Sequence, residues 1–137
     1  MLTTVGQSLS ARLILDRATS QPIAAHLHYQ RDDPIAVRLS FPAAISFEGD
    51  EVEWVFARDL LDLGLRRPSG DGDVHIWPCS PARTMIEICS PQGTALIEFP
   101  SAELRHFLRW VYAAVPVGEE CAHLDVDAAI AEMLDEA

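Results

Sequence analysis

Through the first two thirds of the chain, apolar residues recur at every second position, and that period suits strands with one buried face rather than helices. Leu9, Ala11, Leu13 and Leu15 alternate with Ser8, Ser10 and Arg12. Across residues 23–30, Leu27 and Tyr29 oppose His26 and His28; Val37, Leu39 and Phe41 then alternate with Arg38 and Ser40. Asp32-Asp33-Pro34 separates those two runs, because proline presets a turn dihedral and aspartate bonds its local backbone. After a turn at Glu48-Gly49-Asp50, Val52, Trp54 and Phe56 alternate with Glu53 and Val55 in a fourth strand. A short helix is expected next, with Asp59 as N-cap, Leu60, Leu61 and Leu63 as apolar contacts, and Gly64 in the C-terminal left-handed position. Residues 67–72 read as an exposed loop. Three more strands follow at 74–77, 85–89 and 95–99, the last two joined by a turn at Pro91-Gln92-Gly93.

At Ser101 the period lengthens to that of a helix. Leu104, Phe107, Leu108 and Val111 fall on one helical face, with Glu103, Arg105, His106 and Arg109 on the other. Ser101 is the expected N-cap, and Pro116 with Gly118 ends the run. A last helix is expected from Asp125, with Val126, Ile130, Met133 and Leu134 as its stripe. Strand runs followed by helices, without alternation, argue an α+β fold with antiparallel sheets. The two strand blocks suggest a crude structural duplication without a sequence repeat. The length fits one domain over 1–137, and 49% hydrophobic residues fill its core without a disulfide or metal staple.

Charge restricts the partners. The formal net charge is −11, from 21 acidic and 10 basic residues, and every basic residue is arginine. Binding to a phosphate backbone or an anionic membrane draws on basic side chains and counterion release. The expectation is no nucleic-acid ligand. Cys79, Cys89 and Cys121 are an odd set without CxxC spacing, which argues against a disulfide framework. The first residues lack the basic start and apolar core of a signal peptide. No apolar run reaches the roughly 18 residues of a membrane span. These features predict a cytoplasmic protein with no direct membrane insertion.

No pattern specifies a reaction. GxSxG, GxxxxGK[ST] and HExxH are all missing, which leaves a nuclease or esterase reading without a motif. His26 and His28 share a strand face, but no third or fourth ligand joins them in sequence, so two solvent-facing histidines are expected. Asp71 and Asp73 resemble the opening of a calcium loop, yet the required glycine and glutamate are replaced by Ile76 and Ala82. Cys89 with a distant histidine could form a dyad, but a small thiol inside a strand pattern is ordinarily core. No catalytic residue, cofactor or metal site is therefore expected. The acidic C-terminus, with seven acidic residues from Glu119 onward and no arginine, reads as a solvated face or frayed end.

Three residues stand out as candidates for a partner surface. Trp77 lies on the strand face opposite Val74 and Ile76, and Arg66-Arg67 is the only adjacent arginine pair, beside Pro68 in the expected loop. Tryptophan and arginine are enriched at binding hot spots. The alternatives are a core tryptophan and two solvated arginines.

The segments VEWVFARDLLDLGLRRPSGDGDVHIWP (52–78) and SPQGTALIEFPSAELRHFL (90–108), then AAVP and the closing acidic stretch, resemble the SsgA-like proteins of sporulating actinomycetes. The resemblance lies closest to the SsgB branch. It covers about the last 85 residues in long ungapped runs, and the early strands, including DDPIAV (32–37), more loosely. It implies two packed antiparallel β-sheets with helices in a whirly-like fold, assembled as a homo-oligomer, with a trimer favoured. It further implies a non-enzymatic regulator of sporulation-specific cell division, cytoplasmic and located at the septum. Such a protein marks septum sites, binds other SsgA-like proteins, and recruits the tubulin-like division GTPase FtsZ. The competing reading is a single-stranded nucleic-acid-binding protein on a whirly-like sheet, which would need arginines and stacking aromatics gathered on one face.

Overall fold

Alternating burial in the computed structural model follows the alternating sequence closely. The structure describes residues 3–41, 52–70, 72–91 and 93–120. The order is β1 (Thr4–Ile14), β2 (Ser20–Gln30), β3 (Asp33–Phe41), β4 (Val52–Ala57), α1 (Arg58–Gly64), β5 (Val74–Ser80), β6 (Arg83–Ser90), β7 (Gly93–Pro100) and α2 (Ser101–Ala114). The expected turn at Glu48-Gly49-Asp50 and the expected helix from Asp125 lie outside the described residues. No helix among the described residues is long and apolar enough to cross a membrane.

All pairings are antiparallel, and the strands form a curled sheet in the order β4-β3-β2-β1-β7-β6-β5. Two sheets were expected; the pairing instead joins two blocks into one sheet. The reason is local. β1 pairs with β2 from Thr4 to Ile14, and on its other edge Arg12 pairs with Glu98 and Leu13 with Ile97; these two pairs form the seam between β1 and β7. The α+β class with antiparallel strands and helices holds.

Each strand sends one face inward. Leu9 and Ala11 of β1 stand opposite Ala25 and Ile23 of β2, and Val37 and Leu39 of β3 opposite Tyr29 and Leu27. In the second block, Ile76 pairs with Ile86, which pairs with Ile97. All these side chains are buried in one core. α2 lays Leu104, Phe107, Leu108 and Val111 onto the same face, as its periodicity requires, and packs against β1, β7 and α1.

Both expected N-caps move. α1 begins after Ala57, without a side-chain cap, so Asp59 sits in the first turn, where its carboxylate meets the positive end of the helix. α2 begins after Pro100, because β7 runs directly into the helix with extended backbone at that proline. Ser101 is the first helical residue instead. Its buried hydroxyl lies 2.7 Å from the Thr84 hydroxyl of β6, tying the helix start to the sheet.

Gly64 is not in the left-handed position either, since Gly70, Gly93 and Gly118 are the described glycines with positive φ. It is the last residue of α1, pressed on β5. A Cβ at that place would stand 2.3 Å from Cγ2 and 2.4 Å from Cβ of the fully buried Ile76. Closeness to the sheet, not a turn, demands this glycine.

The largest fully buried side chain is charged. Arg58, the first residue of α1, is 1% exposed. One terminal nitrogen donates to the Val115 carbonyl at 2.6 Å and to the Tyr29 hydroxyl at 3.3 Å. The other donates to Glu120 Oε1 at 2.6 Å and to the Pro116 carbonyl at 3.5 Å. Its guanidinium carbon lies 4.8 Å from the centre of the Tyr112 ring. Tyr29 in turn donates to the Pro34 carbonyl at 2.8 Å. One residue thus joins α1, β2 and the exit of α2. The hydrogen bond from Arg58 holds the Glu120 carboxyl below the usual glutamate value of 4.5.

Two predictions follow from this packing. Gly64→Ala should lower stability by about 1–3 kcal/mol, the usual cost of overpacking, although alanine is the better helix former. Adding Ile76→Ala should cost less than the sum of the two single changes, read by urea unfolding of the three variants. The second prediction concerns acid. A carboxyl with a depressed folded-state pKa contributes stability above its unfolded value, and that contribution is lost as pH falls through the folded value. Glu120→Gln should therefore melt below the unsubstituted chain at neutral pH, and the two melting curves should converge in acid well below 4.5. A constant difference across that range would contradict the ion pair.

Candidate interaction site

Curling brings the two edges of the sheet toward each other without closing them. Among the described strands, β4 pairs with β3 alone and β5 with β6 alone, and α1 packs against β3, β4 and β5. Between these elements opens a cleft of ≈ 860 Å³, lined by Trp54 and Phe56 of β4, Leu60 and Leu63 of α1, and Ser69 and Val74 on the other side. The loop after α1 shields part of the β5 edge. Ser69 and Ile76 exchange backbone hydrogen bonds at 2.9 and 3.0 Å. Gly70 permits that approach: its φ is +109°, and a Cβ would stand 2.3 Å from the Val74 carbonyl oxygen.

Arg66 and Arg67 occupy the turn where α1 becomes this loop, both exposed, as expected. Their surroundings differ. Arg66 makes an ion pair at 3.0 Å with Asp62, one helical turn earlier. The same Asp62 oxygen accepts the Tyr112 hydroxyl of α2 at 3.0 Å. Burial pushes the Tyr112 phenol well above its usual value, and the Asp62 carboxylate adds to the shift, so Tyr112 remains a donor. Arg66 is therefore part of a helix-to-helix network. Arg67 has no hydrogen bond or ion pair on its guanidinium among the described residues, and it extends from a backbone held by Leu63 and Ser69.

Trp77 lies elsewhere. It is half-buried on β5, on the opposite face from Ile76, whereas Gly64 carries α1 against the Ile76 side. No hydrogen bond, ion pair or ring contact joins Trp77 to either arginine among the described residues. The three candidates thus divide into an arginine pair on the turn between the cleft-lining Leu63 and Ser69 and an aromatic on the outer sheet face. Trp110, on α2, is the more exposed tryptophan at 48%, with its indole N–H donating to His106 at 3.2 Å.

The paired histidines of β2 hold no ligand set. Their ring centroids are 6.4 Å apart, His26 lies 3.3 Å from the Ser8 hydroxyl, and no acid or cysteine completes a group with them among the described residues. A different set converges on the outer face of the β5–β6 hairpin. His75 stands opposite Glu87 in the strand register, and Cys89 follows two positions later on the same face. Their ligand atoms all lie within 4.8 Å of one another. The sequence carries only E-x-C as a hint of this group, and the histidine joins it through a pairing that spacing does not reveal. Arg58 went unnoticed for a similar reason: an arginine between Phe56 and Leu60 looks like any helix-start cation until its partners from β2 and α2 are known.

A family model described as "Streptomyces sporulation and cell division protein, SsgA" matches residues 23–120. Proteins called "Sporulation-specific cell division protein SsgB" from Streptomyces coelicolor and Salinispora tropica are 42% and 44% identical to this chain. The match covers 99% of both chains in the first case, and 96% of this chain and 94% of the relative in the second. A solved structure from work on SsgB mutations and longitudinal cell division in sporulating Streptomyces coelicolor superposes with TM-score 0.80 and 44% identity, over 88% of this chain and 95% of that one. The SsgA-like sporulation-specific cell division protein of Thermobifida fusca superposes with TM-score 0.80 and 37% identity, over 96% of each chain. With a family match over most of its length and relatives that share both sequence and fold from end to end, this chain belongs to the SsgA family of sporulation and cell division proteins.

Proposed function

We propose that this chain is a non-enzymatic regulator of sporulation-specific cell division that marks septum sites and recruits FtsZ through the cleft rim around α1. The observation that carries the cell-division reading is 42% and 44% identity, over nearly the full length, to proteins called sporulation-specific cell division protein SsgB. The choice of surface has a physical basis. The cleft has apolar walls from Trp54, Phe56 and Leu60, and the turn between its lining residues Leu63 and Ser69 carries Arg66 and Arg67, the latter a cation without a partner among the described residues. Arg67 sits on a backbone held by hydrogen bonds, so docking has to order its side chain but little of its backbone. Long-range attraction is not required, because charge effects are screened beyond about 8 Å at physiological salt.

The same reading places the chain in the cytoplasm at the septum, in a homo-oligomer with a trimer favoured, and in contact with other SsgA-like proteins. Ile35, Val55 and Trp110, each about half exposed, supply apolar surface for such contacts. The seam of only two residue pairs between the strand blocks supports the likeness to a whirly-type arrangement of two half-sheets. A net charge of −11 disfavours nucleic acid as the ligand.

Arg66→Ala/Arg67→Ala should weaken co-sedimentation with FtsZ filaments by about tenfold, equivalent to about 1.4 kcal/mol, while leaving the oligomer size unchanged. Arg67→Ala should account for most of the loss, because Arg66 is already paired with Asp62. Undiminished co-sedimentation of the double variant would remove this rim from the interface.

A further inference from the structure

We propose that His75, Glu87 and Cys89 form a three-ligand zinc site on the outer face of the β5–β6 hairpin, with water in the fourth position. The donors are an imidazole nitrogen, a carboxylate oxygen and a thiol sulfur. Zinc binds all three types, with bonds of about 2.0–2.1, 2.0–2.2 and 2.3 Å respectively. In a tetrahedron those bonds place nitrogen and oxygen about 3.4 Å apart, and oxygen and sulfur about 3.5 Å apart. In the structure, His75 Nδ1 lies 3.3 Å from Glu87 Oε1, and Cys89 Sγ lies 3.8 Å from the same oxygen. All three lie within 4.8 Å, a span that rotation of the terminal torsions closes to a tetrahedral edge.

An ordinary cross-strand His–Glu pair explains this cluster less well. His75 Nδ1 is shielded from water, yet it makes no hydrogen bond of acceptable geometry among the described residues, because the approach to Glu87 is close but off-line. A metal ion on that nitrogen would satisfy it. The charge balance also fits a half-buried place: one thiolate and one carboxylate neutralise a divalent cation, and the thiol proton passes to solvent on binding. Sulfur and nitrogen donors favour zinc over calcium and magnesium, which prefer oxygen sets. The frame is rigid. Residues 74–78 pair continuously with 84–88, and the Cys89 amide donates to the Asp73 carbonyl at 2.8 Å. Strand-mounted ligands hold their positions better than ligands on loops.

Cobalt(II) reports this geometry directly. Titrating the metal-free full chain with cobalt should yield one ion per chain, a thiolate-to-cobalt charge-transfer band, and the intense visible bands of four-coordinate cobalt. Zinc should abolish these bands, and calcium and magnesium should not. Cys89→Ser should remove the charge-transfer band, whereas Cys79→Ser and Cys121→Ser should keep it. His75→Gln and Glu87→Gln should each weaken zinc by more than about tenfold, at least the loss that follows from disturbing an outer partner of a metal ligand. A chain without the charge-transfer band, a band that survives Cys89→Ser, or zinc affinity unchanged in both His75→Gln and Glu87→Gln would overturn the site. The first of these needs no variant and so does not depend on how any substitution folds.

Discussion

A buried guanidinium organises this protein. Arg58 is enclosed by groups drawn from β2 and from the segment that follows α2: the Tyr29 hydroxyl, the Val115 and Pro116 carbonyls, and the Glu120 carboxylate. Burying a cation costs several kcal/mol unless its hydrogen bonds are replaced and an opposite charge is near. Here the C-terminal end of α2 supplies much of the replacement. The Val115 and Pro116 carbonyls directly follow the last helical residue, Ala114, beside the negative end of the helix dipole. A lysine could not substitute, because it offers a single point charge where a planar fork reaches donors' partners on both sides and stacks on Tyr112. Arg58 Nε, left without a partner among the described residues, marks the cost of placing so polar a group inside.

The consequences reach the surface. Because Arg58 is the first residue of α1, anchoring it holds the whole short helix over the gap between β4 and β5. A helix of this length has little stability of its own, so packing and such anchors must hold it. Gly64 completes the attachment at the other end by letting the backbone press on Ile76. Between these two anchors α1 presents Leu60 and Leu63 to the cleft, and Asp62 to both Tyr112 and Arg66. The position of the arginine rim is thus set from inside the core.

Much of this was legible in the sequence, and the failures share one cause. Alternation at Leu9–Ala11 and Val37–Leu39, and the helical stripe from Leu104 to Val111, report burial through local spacing, and the strands and α2 appear where those patterns place them. The errors concern groups whose role depends on residues far along the chain. Ser101 looked like a cap because its partner, Thr84, belongs to another strand. Gly64 looked like a helix terminator because Ile76 could not be placed against it. The β1–β7 seam, the Arg58 cluster and the His75–Glu87–Cys89 group all arise from strand register and helix docking, which composition and period do not encode. Arg66 and Arg67 were visible as an exposed pair; the unequal availability of their charges was not.

The proposed partner surface is the one around the anchored α1, offered to FtsZ. Hydrogen–deuterium exchange of the chain alone and with FtsZ filaments tests it most directly. The account predicts that FtsZ slows exchange in residues 58–70 and along β4, while the amides of β1 and β2 exchange as in the free chain. Slowing confined to β1 and β2, with α1 and its loop unchanged, would contradict it.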